Sequence, residues 1–154
     1  RAVRAAKYPP RGVRGYCFSR MNAWGADFDA YAAAANEETA VVVMIESKEG
    51  VANIDAILAV DGVDGVLIGP YDLSGSYGVP GQTGHAEVAA GCRRVREACA
   101  AAGKAAGLHV VKPDADAVDR ALAEGYTFLV LGVDIVFLAE GARRSRALAE
   151  KGGA

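Results

Sequence analysis

Four short apolar runs, at residues 41–45, 65–68, 105–111 and 127–133, alternate with helix-patterned segments. That alternation constrains the fold more than any other feature. Val41-Val42-Val43-Met44-Ile45 carries no polar residue at all, as in a strand buried on both faces. Helical spacing is predicted over 27–38, 47–58, 86–102, 114–124 and 135–150, with Ser47 as a cap and Gly103 and Gly125 as stops. Strands joined by helical crossovers pair in parallel. The chain therefore reads as four successive β-α units, with 11–25 irregular and 69–84 a polar, glycine-rich loop holding a short turn.

Two α/β architectures fit: a small doubly wound domain, or half of a (β/α)8 TIM barrel, whose full length is about 250 residues. Residues 1–7 read as a helix end stopped by Tyr8-Pro9-Pro10. A domain rarely begins inside an element, which favours the half barrel. Residues 1–154 are expected to form one structural unit, with no linker or internal repeat.

Composition narrows the function. Hydrophobic residues make up 52% and charged residues 23%, which excludes intrinsic disorder. A net charge of −2, with no basic run longer than two residues, argues against a nucleic-acid partner. No apolar run approaches the roughly 18 residues of a membrane span. Three cysteines, Cys17, Cys92 and Cys99, at no metal-ligand spacing, point to free thiols in a reducing, cytoplasmic setting.

In parallel α/β folds the chemistry gathers where strands end. Those positions hold Glu46, then Gly69-Pro70-Tyr71-Asp72, then His109, then Asp134. Two carboxylates on neighbouring strand tops, Glu46 and Asp72, can share a hard divalent cation. Such an ion polarises a 2-oxo acid and stabilises its enolate. The competing reading is that both acids cap the helices that follow.

Val43-Met44-Ile45-Glu46-Ser47-Lys48-Glu49-Gly50, followed by Gly62-Val63-Asp64-Gly65-Val66-Leu67-Ile68-Gly69-Pro70-Tyr71-Asp72-Leu73-Ser74, resembles the HpcH/HpaI aldolases. These are metal-dependent pyruvate aldolases of the phosphoenolpyruvate/pyruvate barrel superfamily. Tyr8-Pro9-Pro10-Arg11-Gly12-Val13-Arg14-Gly15 is similar to the turn before the family's fifth strand, and Leu131-Gly132-Val133-Asp134 to its eighth. The resemblance implies strands five to eight of the barrel. It implies Glu46 and Asp72 as the metal ligands, with Mg²⁺, or alternatively Mn²⁺ or Co²⁺, as the cofactor. It also implies that the backbone N–H groups of Tyr71 and Asp72 receive the substrate carboxylate. The implied reaction cleaves a 4-hydroxy-2-oxo acid to pyruvate and an aldehyde through a metal-bound enolate. The alternatives are a citrate-lyase-β-like cleavage of a CoA thioester, or a non-catalytic barrel fragment. The family's catalytic histidine, its acidic partner and its substrate arginine lie on earlier strands, so no general base is assigned here. Met44 and Tyr71 stand where members carry glutamine and alanine. A homotrimer or homohexamer is implied.

The remaining polar candidates have structural readings. His85 is expected to cap or pack, and His109 to hold its strand top. Asp134 is expected to cap the last helix, and Arg14 and Arg20 to be solvated at the mouth. Cys92 and Cys99 lie seven apart on one helix face, a packing pattern. Tyr77, Gly78, Pro80 and Gly81 form a loop able to close over substrate or to meet another subunit.

Overall fold

A computed structural model describes residues 1–151, so the last three positions of the 1–154 unit lie outside the described residues. The chain begins with α1 (Ala2–Ala6), a 3-10 turn (Arg20–Gly25) and α2 (Phe28–Glu38). It continues through β1 (Val42–Ile45), α3 (Lys48–Ala52), α4 (Ile54–Leu58), β2 (Gly65–Ile68), α5 (Pro70–Ser76) and α6 (Ala86–Ala102). It ends with β3 (Ala105–Val110), α7 (Ala115–Ala123), β4 (Phe128–Leu131) and α8 (Asp134–Lys151).

The four strands form one parallel sheet in the order β1-β2-β3-β4. Val43 pairs with Val66 and Val66 with Ala106, so these three point to the same side; Ile45, Ile68 and Leu108 do likewise two residues on. All six belong to the hydrophobic core or pack against it, together with Leu73, Val88, Val95 and Cys99 from the helices. Full burial of each larger aliphatic chain contributes about 1.5–3 kcal/mol. On the opposite side, Val42 is 41% and Met44 55% exposed. Helices thus cover one face only, and the strand order never reverses. A doubly wound sheet reverses its order and covers both faces. The arrangement is an arc of a (β/α)8-type barrel, with Val42, Met44, Leu67 and Phe128 on its inner side.

Two segments differ from the sequence reading. Residues 69–84 include a helix, α5. Its Gly and Ser residues are poor helix formers, but Pro70 occupies the first helical position, where its missing N–H costs nothing, and Leu73 and Ser74 are fully buried. The single helix expected over 47–58 is broken at Asn53. The Asn53 side chain donates to the Glu49 carbonyl at 2.8 Å, a local bond that competes with the helical ladder. Elsewhere the punctuation holds: Ser47 accepts from Gly50 N–H at 3.1 Å, and Gly103 ends α6 at φ +64°, a conformation that favours glycine.

Candidate active site at the strand tops

Glu46 is the residue after β1, and Gly69 the residue after β2. Ile45 pairs with Ile68, so Glu46 and Gly69 are the next rungs of the same ladder. Gly69 N–H donates to the Ile45 carbonyl at 3.0 Å, which carries the pairing to the base of the site. A β-carbon placed on Gly69 would stand 3.2 Å from both Glu46 Cβ and Glu46 Oε2. The Glu46 side chain therefore lies across the space that glycine leaves open. Asp72 follows in the first turn of α5.

Neither acid caps a helix. Ser47 caps α3, Gly69 holds the cap position of α5, and no side-chain capping bond forms there. Among the described residues neither carboxylate has an ion-pair partner. Both are solvent-exposed. The first backbone bond of α5 runs from Leu73 N–H to the Gly69 carbonyl. The N–H groups of Tyr71 and Asp72 thus have no backbone acceptor among the described residues, as expected at a helix start.

The two segments are fixed to each other. Lys48 N–H donates to Ser76 Oγ at 2.9 Å, tying the turn after β1 to the end of α5. Buried Ser74 donates to the Tyr71 carbonyl and accepts from Gly81 N–H at 2.8 Å, fastening the 77–81 loop. The Leu-Ser part of the Gly-Pro-Tyr-Asp-Leu-Ser motif is therefore scaffolding for the Tyr-Asp part.

The donor set fits a hard cation. The Glu46 carboxylate stands over the Gly69 cradle, Asp72 lies in the first turn of α5, and carboxylate oxygens of this kind suit a hard cation. Among the described residues no cluster of three or more His, Cys, Asp or Glu could hold a metal, so water and substrate oxygens would complete the shell.

The other strand-top residues make local hydrogen bonds. His109 Nε2 lies 3.0 Å from the Gly132 carbonyl, joining the tops of β3 and β4. Asp134 opens α8 and accepts from Ile135 N–H at 2.7 Å. His85 Nδ1 sits at the start of α6, 3.4 Å from Glu87 N–H. Arg14, expected to be solvated, instead stacks 4.6 Å over the Tyr8 ring and donates to Tyr31 at 3.1 Å. Arg20 is exposed. Sequence reasoning treated Gly69 only as part of a turn; its role beneath Glu46 depends on strand register, which the motif does not reveal. Among the described residues no helix is long and apolar enough to cross a membrane.

The family model for HpcH/HpaI aldolase/citrate lyase matches residues 1–140. A 2-keto-3-deoxy-L-rhamnonate aldolase from Salmonella dublin is 46% identical over 144 residues, covering 90% of this chain and 51% of the relative. The chain thus spans about half the length of the curated relatives it matches. An HpcH/HpaI aldolase/citrate lyase family protein from Burkholderia cenocepacia J2315 superposes with a TM-score of 0.82 at 31% identity, over 96% of this chain and 58% of that one. An HpcH/HpaI aldolase from Desulfitobacterium hafniense DCB-2 superposes at 0.79 and 32% identity, over 96% and 57%. With its barrel arc, its strand-top acids and this match over nearly its whole length, the chain belongs to the HpcH/HpaI aldolase/citrate lyase family.

Proposed function

We propose that this chain supplies the metal-binding half of a class II pyruvate aldolase, which cleaves a 4-hydroxy-2-oxo acid to pyruvate and an aldehyde. The observation that carries the reading is the Glu46 carboxylate lying over Gly69, with Asp72 three residues further on in the first turn of α5. The name of the Salmonella relative supports a 2-keto-3-deoxy sugar acid as the substrate class. Glu46 and Asp72 hold the ion. A bound Mg²⁺, Mn²⁺ or Co²⁺ supplies Lewis-acid charge toward the oxygens of a 2-oxo acid. The Tyr71 and Asp72 N–H groups, which lack backbone acceptors, orient the substrate carboxylate. The Tyr71 side chain is exposed, and Ser74 fastens the 77–81 loop that follows α5.

No residue of this chain is assigned as general base. In this reading the rest of the complete protein supplies it, residues 1–154 fold as one unit of that protein, and the whole works as a cytoplasmic homotrimer or homohexamer.

Proton exchange tests the site in the complete protein. Pyruvate methyl protons should exchange with D₂O without any aldehyde, followed as decay of the methyl NMR signal. Glu46→Gln and Asp72→Asn should each slow exchange at least about a hundredfold, the usual scale for losing one transition-state electrostatic partner. Unchanged exchange in both variants would remove these carboxylates as metal ligands.

A further inference from the structure

A cleft of about 840 Å³ opens between α6 and α7, over the helix-facing side of β3. That size lies within the range of small-molecule sites. Its floor is apolar, built by Leu108, Val110 and Ala121. Its walls carry four cations, Arg93, Arg96, Lys112 and Arg120, against one carboxylate, Glu124. Glu124 is already committed: Arg96 Nη1 lies 2.7 Å from its Oε2. The same guanidinium stacks 4.9 Å over the Tyr126 ring, which holds it on the cleft wall. Arg93, Lys112 and Arg120 make no ion pair among the described residues.

Surface cations are ordinarily scattered among acids. Here three uncommitted cations, from α6, from α7 and from the β3–α7 turn, line one concavity whose sole acid is neutralised. Like charges gathered this way repel one another until an anion joins them. A carboxylate satisfies one arginine fork, whereas a phosphate offers three oxygens to donors arriving from several directions. The apolar floor adds a surface for the carbon body that bears it.

We propose that the α6–α7 cleft binds an organic phosphate, its phosphoryl group held by Arg93, Lys112 and Arg120 and its carbon body lying over Leu108, Val110 and Ala121. The cleft lies against β3 on the helix side of the sheet, and Pro70 and Tyr71 line one end of it. None of the three cations assigned to the phosphoryl group has a part in the aldolase reading, so the two readings can fail separately.

Isothermal titration of the complete protein tests it, after EDTA treatment and dialysis so that no cation at Glu46 and Asp72 contributes. The probe is phenyl phosphate, compared with inorganic phosphate and benzoate. Phenyl phosphate should bind saturably, one per chain, and at least about tenfold more tightly than either comparison anion. The double variant Arg93→Ala/Arg120→Ala should weaken it at least about tenfold. Both arginines are exposed, so the circular dichroism spectrum and melting temperature should stay as in the parent. Absence of saturable phenyl phosphate binding would overturn the proposal. So would binding unchanged in the double variant, or inorganic phosphate or benzoate binding equally well.

Discussion

Glu46 and Gly69 are reciprocal: the carboxylate occupies the volume that a side chain at 69 would need, with Oε2 only 3.2 Å from the position of the absent β-carbon. Gly69 has φ −103°, open to any residue, so its glycine answers to space and not to backbone conformation. Gly69→Ala should leave folding intact while displacing Glu46 by a few tenths of an ångström. We expect pyruvate proton exchange to fall about tenfold, a misplacement effect short of losing the ligand. Full exchange in this variant would show that Glu46 needs no cradle.

Metal removal gives an independent check. Prolonged EDTA treatment of the complete protein should abolish exchange, and Mg²⁺, Mn²⁺ or Co²⁺ should restore it. Activity persisting in metal-free protein would point to a Schiff-base lysine. Lys104 would be a poor candidate, because its Nζ donates to the Leu58 carbonyl at 2.6 Å; Lys48 and Lys112 would remain.

Lys7 anchors the N-terminal segment. It is 5% exposed, and its Nζ donates to the carbonyls of Asn36 at 2.7 Å and Thr39 at 2.6 Å, at the C-terminal end of α2. A cation there also complements the helix dipole. Lys7→Met keeps the stem but strands both carbonyls. It should destabilise the protein by about 2 kcal/mol, read as a lower urea midpoint at unchanged slope.

The thiols should divide by burial. Cys17 is exposed, whereas Cys92 and Cys99 are buried, and burial pushes both of their pKa values up. At pH 7.5 a thiol reagent should modify Cys17 alone until the chain is denatured. The linkage has a definite sign. A thiol whose folded pKa is raised favours the folded state below its unfolded value, so stability should fall as pH rises above about 9. Cys92→Ser/Cys99→Ser should flatten that alkaline decline, measured as urea midpoint against pH.

The chain on its own should associate. The β1 and β4 edges of the sheet are open among the described residues, and Met44 and Phe128 expose apolar surface on its inner side. Unpaired edges recruit other strands. Size-exclusion chromatography with light scattering should show oligomers lacking exchange activity. A monodisperse, active monomer would refute the half-barrel reading of function.

β1, β2 and β4 were legible because their four residues are almost all large and apolar, and the helix ends at Ser47 and Gly103 because capping is local chemistry. α5 was not legible: its seven residues read as loop, and only burial of Leu73 and Ser74 makes them a helix. Glu46 and Asp72 were singled out by motif resemblance, yet the Gly69 cradle arises from register between separate strands. The cations of the α6–α7 cleft were invisible because Arg93 and Arg120 look like any solvated helix face until α6 and α7 stand side by side.

The unbroken strand order also sets how the molecule can assemble in time. Val42 pairs with Gly65, Gly65 with Ala105, and Gly107 with Phe128, so each ladder closes only the loop containing its own crossover. Among the described residues no pairing waits for a distant part of the sequence, and the entropic cost of closure stays modest at each of these steps. Such a sheet can grow strand by strand as the polypeptide leaves the ribosome, each new β-α unit settling on the one just made.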